Sequence, residues 1–78
     1  MRCFVYKSLR AIDTYVFLGE QDNFQVLPAA LQEALGPLAF VLDLELTPGR
    51  RLARASGAEV LAAIAERGFH LQLPPPVA

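Results

Sequence analysis

Two short segments near the N-terminus are apolar on both faces of a strand, and this feature constrains the fold most. Within residues 2–7, Cys, Phe, Val and Tyr follow one another, so each face of an extended strand carries two apolar side chains. Residues 14–18 repeat the pattern with Tyr, Val, Phe and Leu in succession. Strands of this kind are normally covered on both sides, so the sequence predicts a sheet between two helical layers. The short polar link at residues 8–13 predicts that the two strands form an antiparallel hairpin.

Two helices are predicted from local start and stop signals. The first covers residues 26–35, with Pro28 in its first turn, leucines at every fourth position and a glycine directly after it. The second begins at Ser56, whose spacing to Glu59 matches a capping box. It ends at Gly68, a residue that readily adopts the left-handed conformation after a helix.

Two further strands complete the predicted fold. Residues 38–46 predict a strand with one continuous core face, made of Leu38, Phe40, Leu42, Leu44 and Leu46. Residues 69–73 predict a half-buried strand, and a short fifth strand is expected near Leu52. We therefore expect an α+β fold: an α/β/α sandwich with a mostly antiparallel sheet of four to five strands and two main helices.

Size and composition limit the classes of function. The chain has 78 residues, enough for a single domain at residues 1–76 with a Pro-rich tail at 74–78. With 54% hydrophobic residues and 19% charged residues it is not a disordered arm. Its net charge of -1 gives no overall attraction to nucleic acid, and specific DNA binding is not expected. The longest uncharged run is too short and too broken to cross a bilayer, so no membrane association is expected.

The single cysteine and the single histidine restrict the chemistry further. Cys3 has no partner for an intramolecular disulfide, and with His70 alone no zinc-binding set exists. A lone free thiol without an export signal predicts a cytoplasmic protein. No cofactor is expected.

Several motifs resemble one known family. They are Cys3-x-Val5-Tyr6-Lys7-Ser8, Thr14-Tyr15, Asp22-x-Phe24 with Pro28-x-x-Leu31, Gly36-x-x-x-Phe40, and Gly68-x-x-Leu71-Gln72-Leu73-Pro74-Pro75-Pro76. Together they run through residues 1–76 and resemble the YcgL domain. The resemblance implies a small bacterial domain with an α/β/α sandwich fold, for which no catalytic or binding residues can be carried over. The chain departs from the family pattern at Gln21 and Val26, where members usually have basic residues, and at His70, where they have an aromatic residue.

The densest cluster of charge lies before the second helix, in the segment at residues 50–54 that we call the arginine loop; it comprises Arg50, Arg51 and Arg54. Together with Ser56 at the start of the helix, these guanidinium groups could bind phosphate or carboxylate. The alternative, which we favour, is that they pair with surface acids such as Asp43 and Glu45.

Two other side-chain pairs have a chemical interpretation and a structural one. Cys3 and His70 would form a nucleophile and base if their strands were neighbours, but a cysteine in an apolar strand is most often a core residue. Asp43 and Glu45 lie on one face of a strand, as in an acid/base or divalent-cation site. A solvated strand end explains that pair better, because a hard metal needs more ligands.

The C-terminal arm, residues 73–76, consists of Leu73, Pro74, Pro75 and Pro76. It either binds a partner as a polyproline II segment or only prevents further strand pairing. We expect a non-enzymatic protein-interaction module that presents the arginine loop and the C-terminal arm to a protein partner. The alternative is an RNA-associated accessory protein that binds phosphates through the arginine loop. Within the resembled family, genes in some bacteria lie beside one for an RNA-trimming exonuclease, which is circumstantial support for that alternative.

Overall fold

Four strands form one antiparallel sheet in the computed structural model, which describes residues 1–52 and 55–74. The strands are β1 (Arg2–Ser8), β2 (Tyr15–Leu18), β3 (Leu38–Glu45) and β4 (Phe69–Gln72). Their order across the sheet is β3-β1-β2-β4, and every neighbouring pair is antiparallel. β1 and β2 form the predicted hairpin, and β3 and β4 are the two edges of the sheet.

Two α-helices connect the strands, and the first starts later than predicted. α1 spans Ala29–Leu35 and α2 spans Gly57–Arg67. Pro28 precedes α1 at the N-cap position, with ψ at 148°. The residue before a proline is driven into extended conformation, so the chain cannot become helical until the proline has been passed. No helix within the described ranges is both long and apolar enough to cross a membrane.

The sheet is covered on both sides, which confirms the α/β/α sandwich and the α+β class. Cys3, Val5 and Phe17 pack with α2 on one side, the α2 face. On the other side, the α1 face, the sheet packs against α1 and the segment that precedes it in the chain. The buried residues there include Tyr6 and Val16. Apolar side chains on both faces of β1 and β2 therefore enter two separate cores.

β3 contains a β-bulge that the alternation of its side chains does not reveal. Val5 of β1 pairs with Leu42, whereas Tyr6 pairs with Phe40. Val41 is therefore an extra residue without its own partner on β1. Beyond such a bulge the side chains exchange faces.

The predicted single core face of β3, residues 38–46, is consequently wrong. Leu38 packs in the core of the α1 face, and the ring of Phe40 lies 5.6 Å from that of Tyr6 in an edge-on arrangement. Leu44, on the other side of the bulge, packs in the core of the α2 face. The strand thus divides its apolar residues between the two cores.

The segment between β3 and α2 forms a compact turn. In place of the predicted fifth strand near Leu52, Arg51 and Ser56 form an isolated antiparallel bridge, and the Leu52 N–H donates to the carbonyl of Ala55 at 2.9 Å. Arg54 and the part of the C-terminal arm at residues 75–76 lie outside the described residues.

Candidate functional site

An open cleft lies on the α2 face, where helix cover is incomplete. α2 packs over β4 and β2, so the region toward β3 remains accessible. The cleft has a volume of about 220 Å³ and is lined by Val5, Tyr15, Phe17, Val41, Leu42, Leu44, Leu52 and Gln72. Seven of these eight residues are apolar or aromatic, and Gln72 is the polar one. We call this feature the α2-side cleft.

Three consecutive apolar residues of β3 are exposed, and two of them, Val41 and Leu42, line the cleft. Phe40, Val41 and Leu42 are 51%, 44% and 44% exposed. They lie on an edge strand, a position where natural proteins usually place charges, proline or a bulge to prevent association. Here the bulge is present, but the apolar side chains remain accessible.

The wall opposite β3 is held by hydrogen bonds to the arginine loop. The Arg50 carbonyl accepts the N–H of Gly57 at 2.6 Å, and the Arg50 N–H donates to the carbonyl of Thr47 at 3.1 Å. The Arg50 guanidinium donates to the backbone carbonyl of Glu45 at 3.1 Å. These bonds fix the start of α2 against the end of β3 and place Leu52 beside the cleft.

Two depressions adjoin the cleft and bring the predicted site residues together. One, of about 270 Å³, is lined by Arg51, Leu52, Ala55, Ser56 and Glu59. The other, of about 260 Å³, is lined by Ala55, Glu59, His70, Leu71, Gln72, Leu73 and Pro74. The first depression shares Leu52 with the cleft, and the second shares Gln72 with it. The arginine loop and the beginning of the C-terminal arm therefore border one continuous surface.

Ser56 serves α2 as its N-cap. Its Oγ accepts the N–H of Glu59 at 3.2 Å, and the Glu59 carboxylate lies 3.4 Å from the same hydroxyl. Gly68 ends the helix with φ at 91°. The predicted N-cap at Ser56 and the stop at Gly68 are confirmed, while the Glu59 carboxylate reaches back to the Ser56 hydroxyl and not to its backbone N–H; Ser56 is already engaged by its own helix.

The expected pairing of the arginine loop with Asp43 and Glu45 is wrong for its described arginines. Arg2 forms the ion pair with Asp43, at 3.3 Å, and the N-terminal amine binds Glu45 at 2.5 Å. That amine lowers the pKa of Glu45, chiefly through the hydrogen bond. Because β1 pairs with β3 in register, Arg2 and the N-terminal amine reach these carboxylates, whereas the described arginines of the loop, Arg50 and Arg51, form no ion pair with them.

Cys3 and His70 do not form a catalytic pair. β2 separates their strands, and the ring of Phe17 lies between them, 5.6 Å from the imidazole. Cys3 is fully buried, and this burial raises the pKa of its thiol to about 11. Burial, with a smaller contribution from Arg67, lowers the pKa of His70. A thiol with such a pKa is almost entirely protonated at neutral pH and is a poor nucleophile.

Tyr6 is a structural residue. Its hydroxyl donates to the Asp22 carboxylate at 2.9 Å and accepts the Asp22 N–H at 2.7 Å. Burial raises the pKa of the phenol. The bond restrains Asp22, whose φ of 61° lies in the left-handed region. Tyr15, by contrast, is half-buried and lines the cleft.

The sequence interpretation missed Val41 and Leu42 as surface residues. Their local signal, an apolar run, is typical of a buried strand, and only the position of β3 at the sheet edge exposes them. Within residues 1–52 and 55–74, no group of three or more His, Cys, Asp or Glu side chains is arranged to hold a metal ion.

Comparison with known proteins gives consistent matches along the chain. The sequence pattern of one family, the YcgL domain, matches residues 3–75. A YcgL domain-containing protein of Thioalkalivibrio sulfidiphilus (strain HL-EbGR7) is 51% identical over 75 residues, which cover 96% of this chain and 93% of that protein. One from Xanthomonas campestris pv. campestris (strain B100) is 55% identical over 74 residues, covering 95% of this chain and 86% of that protein. One from Xanthomonas oryzae pv. oryzae (strain MAFF 311018) is 51% identical over 74 residues, with the same coverage.

Proposed function

Because the chain belongs to the YcgL domain family, bacterial proteins of uncharacterised function, we propose from its surface that it is a non-enzymatic protein-interaction module. It acts in the cytoplasm and docks a protein partner on the α2-side cleft and the adjoining arginine loop and C-terminal arm. The observation that supports this proposal is that the open apolar cleft is continuous with both the arginine loop and the beginning of the C-terminal arm.

The size of the cleft supports a protein partner over a metabolite. Pockets for small molecules usually have volumes of about 300–1,000 Å³ and enclose most of the ligand. This cleft is smaller, at about 220 Å³, and open. Such a volume suits one or two apolar side chains of a docked protein. A contiguous exposed apolar patch on a small domain is itself typical of an interaction site.

The state of the candidate nucleophile supports a non-enzymatic role. Cys3 is fully buried in the core of the α2 face, and its thiol has a pKa of about 11. Thiol catalysis requires an accessible thiolate with a lowered pKa. We therefore assign Cys3 to packing.

The RNA-associated alternative, through Arg50, Arg51 and Arg54, has less support. RNA binding combines cations with exposed aromatic rings on which bases stack. Tyr6 is buried, Tyr15 is half-buried within the cleft, and Phe40, which is 51% exposed, packs edge-on against Tyr6 on the α1 face. We treat RNA binding as an outcome that the experiment must distinguish.

The test is capture of partners from the native host by tagged protein, with and without nuclease. The wild type is compared with Leu42→Asp, which places a charge in the cleft, and with Ile12→Asp. Ile12 is 81% exposed in the β1–β2 loop, so the same substitution there is the matched control. We expect the wild type and Ile12→Asp to retain one nuclease-resistant set of proteins that Leu42→Asp loses.

Two results would contradict the proposal. Equal capture by Leu42→Asp, with its fold verified by amide NMR, would show that the cleft is not the docking surface. Loss of all captured proteins after nuclease treatment would favour the RNA-associated role. Deletion of residues 74–78 tests the contribution of the C-terminal arm separately: unchanged capture would remove the arm from the docking surface.

A further inference from the structure

The second half of β3 directs backbone groups of Asp43 and Glu45 toward the open edge of the sheet. In an antiparallel pair, residues that bond to the neighbouring strand alternate with residues whose N–H and C=O point away from it. The Leu46 N–H donates to the carbonyl of Met1 at 2.7 Å, so the residues one and three positions earlier point away from β1. The Glu45 carbonyl accordingly accepts the Arg50 guanidinium at 3.1 Å, from outside the sheet.

The first half of β3 directs backbone groups of Leu38 and Phe40 toward the same edge. There the Leu9 N–H donates to the carbonyl of Pro37 at 2.9 Å, so the residues one and three positions later point away from β1. Outward groups therefore recur at every second residue within each half of the strand. Across the bulge at Val41 the step is three residues, from 40 to 43.

This spacing selects a second copy of β3 as the strand that fits the edge. A regular strand presents such groups at every second residue, so it can match only one half of β3. A second copy, antiparallel and related by a two-fold axis, has the same three-residue step. With the axis between residues 41 and 42, Leu38 lies opposite the second copy's Glu45, and Phe40 lies opposite its Asp43. All outward groups are then matched, and each such pair can exchange two hydrogen bonds.

The faces of the side chains agree with this register. A two-fold axis perpendicular to the sheet keeps the α1 faces of both copies on one side. The four residues with outward backbone groups lie on that face, because they pair with even-numbered residues of β1, among them Phe4 and Tyr6 of the α1-face core. On the opposite face, Val41 and Leu42, each 44% exposed, meet the same two residues of the second copy.

The acidic residues at this edge do not oppose the pairing. Charges on an edge strand normally prevent association. Here Asp43 is ion-paired with Arg2 at 3.3 Å, and Glu45 binds the N-terminal amine of the same copy. In the inferred register each acid lies opposite an apolar residue of the second copy, so no two carboxylates are placed directly opposite each other.

We propose that two copies of the chain form a symmetric dimer by antiparallel pairing of β3 with β3, which joins their four-stranded sheets into one. This inference goes beyond the proposed function, since it concerns the backbone edge of β3 and a partner identical to the chain itself. The eight residues of β3 give an edge of about 26 Å. A contact confined to one such edge is smaller than the standard interface of about 800 Å² per partner, so the dimer is weak and reversible.

Sedimentation velocity between about 20 μM and about 1 mM measures this association. Asp43→Pro removes the outward N–H, a group that β1 does not use, and edge strands tolerate proline at such positions. Asp43→Ala is the matched control, because it loses the same ion pair but keeps the N–H. We expect wild type and Asp43→Ala to form dimers as the concentration rises. Asp43→Pro should associate at least about tenfold more weakly, because the symmetry removes the lost bond twice.

Amide hydrogen exchange of the wild type tests the register without any substitution. The Phe40 and Asp43 amides should exchange more slowly as the dimer fraction rises, whereas the Leu44 amide, which bonds to β1, should not change. This measurement decides the matter if amide NMR shows that Asp43→Pro is unfolded.

Three results would overturn the inference: a single monomeric species at about 1 mM, equal association of folded Asp43→Pro and wild type, or a dimer in which the exchange of Phe40 and Asp43 is unchanged. Asp43 does not line the α2-side cleft. Failure of the dimer therefore leaves the proposed docking function in place, and that function is tested separately by capture with Leu42→Asp.

Discussion

Gly57, the first residue of α2, lies where any side chain would collide with the backbone of Thr47, which precedes the arginine loop. A Cβ at this position would be 1.9 Å from the carbonyl oxygen of Thr47, whereas real Cβ atoms essentially never approach closer than 3.0 Å. In Gly57→Ala, the helix start and the Thr47 carbonyl must therefore separate by about 1.1 Å. The bond from the Gly57 N–H to Arg50, now 2.6 Å, is strained or broken by that movement.

The expected loss of stability follows from these terms. Overpacking a tight site costs about 1–3 kcal/mol, and the lost hydrogen bond about 1 kcal/mol. Alanine returns up to about 1 kcal/mol through its higher helix propensity. We expect Gly57→Ala to lower the free energy of unfolding by about 2 kcal/mol, which is about 8–16 °C in Tm for a domain of this size.

Gly49→Ala is the matched control, because a Cβ there has no atom within 4 Å. We expect that variant to be neutral or stabilised by up to about 1 kcal/mol. Urea unfolding followed by circular dichroism measures both variants. Equal midpoints for Gly57→Ala and Gly49→Ala would refute the contact between Gly57 and Thr47 and, with it, the described anchoring of the cleft wall.

Three further predictions concern single contacts. Ser56→Ala removes the hydroxyl that accepts the Glu59 N–H, so the free energy of unfolding should fall by about 1 kcal/mol in urea titration; an unchanged midpoint would exclude capping. Tyr6→Phe removes both hydrogen bonds to Asp22 and should lower the free energy of unfolding by about 1–2 kcal/mol. A smaller loss than that of Ser56→Ala would show that these two bonds contribute little to stability. The pKa of Cys3 is raised from 9.0 to about 11 on folding, so the unfolded thiol ionises first and stability is lost as pH rises from about 9 to 11. Over this range the wild type should lose about 2–3 kcal/mol more than Cys3→Ala, measured by urea unfolding at each pH, and parallel losses would contradict the burial of the thiol.

The layered fold could be predicted because its signals are local. The side chains of β1 and β2 show two apolar faces in the sequence itself. The cap at Ser56 and the glycine at position 68 mark the two ends of α2. Each signal depends on neighbours a few residues apart. Such patterns determine the type of an element and, once both faces are apolar, the need for cover on both sides.

The bulge in β3 could not be predicted in this way. The apolar pattern from Leu38 to Leu44 continues without interruption, and the exchange of faces at Val41 is set by pairing with β1. The ion pairs have the same origin, because register brings Arg2 to Asp43 across some forty residues of chain. Non-local pairing decides both features.

The candidate site was predicted only in part. Arg51, Ser56, Leu73 and Pro74 do border one continuous surface, but the apolar cleft between them was assigned to the core. Its exposure results from the lateral position of α2 over β2 and β4. A short helix cannot cover a whole four-stranded sheet, and the sequence does not specify which strands it leaves open.

The most direct test of the docking surface is the amide NMR footprint of the captured partner on the isotopically labelled protein. We expect the largest shift changes at Val41, Leu42, Leu52 and Gln72, which surround the cleft, and none at Ile12 in the β1–β2 loop. A footprint centred on that loop or on α1, with the amides around the cleft unchanged, would contradict the account.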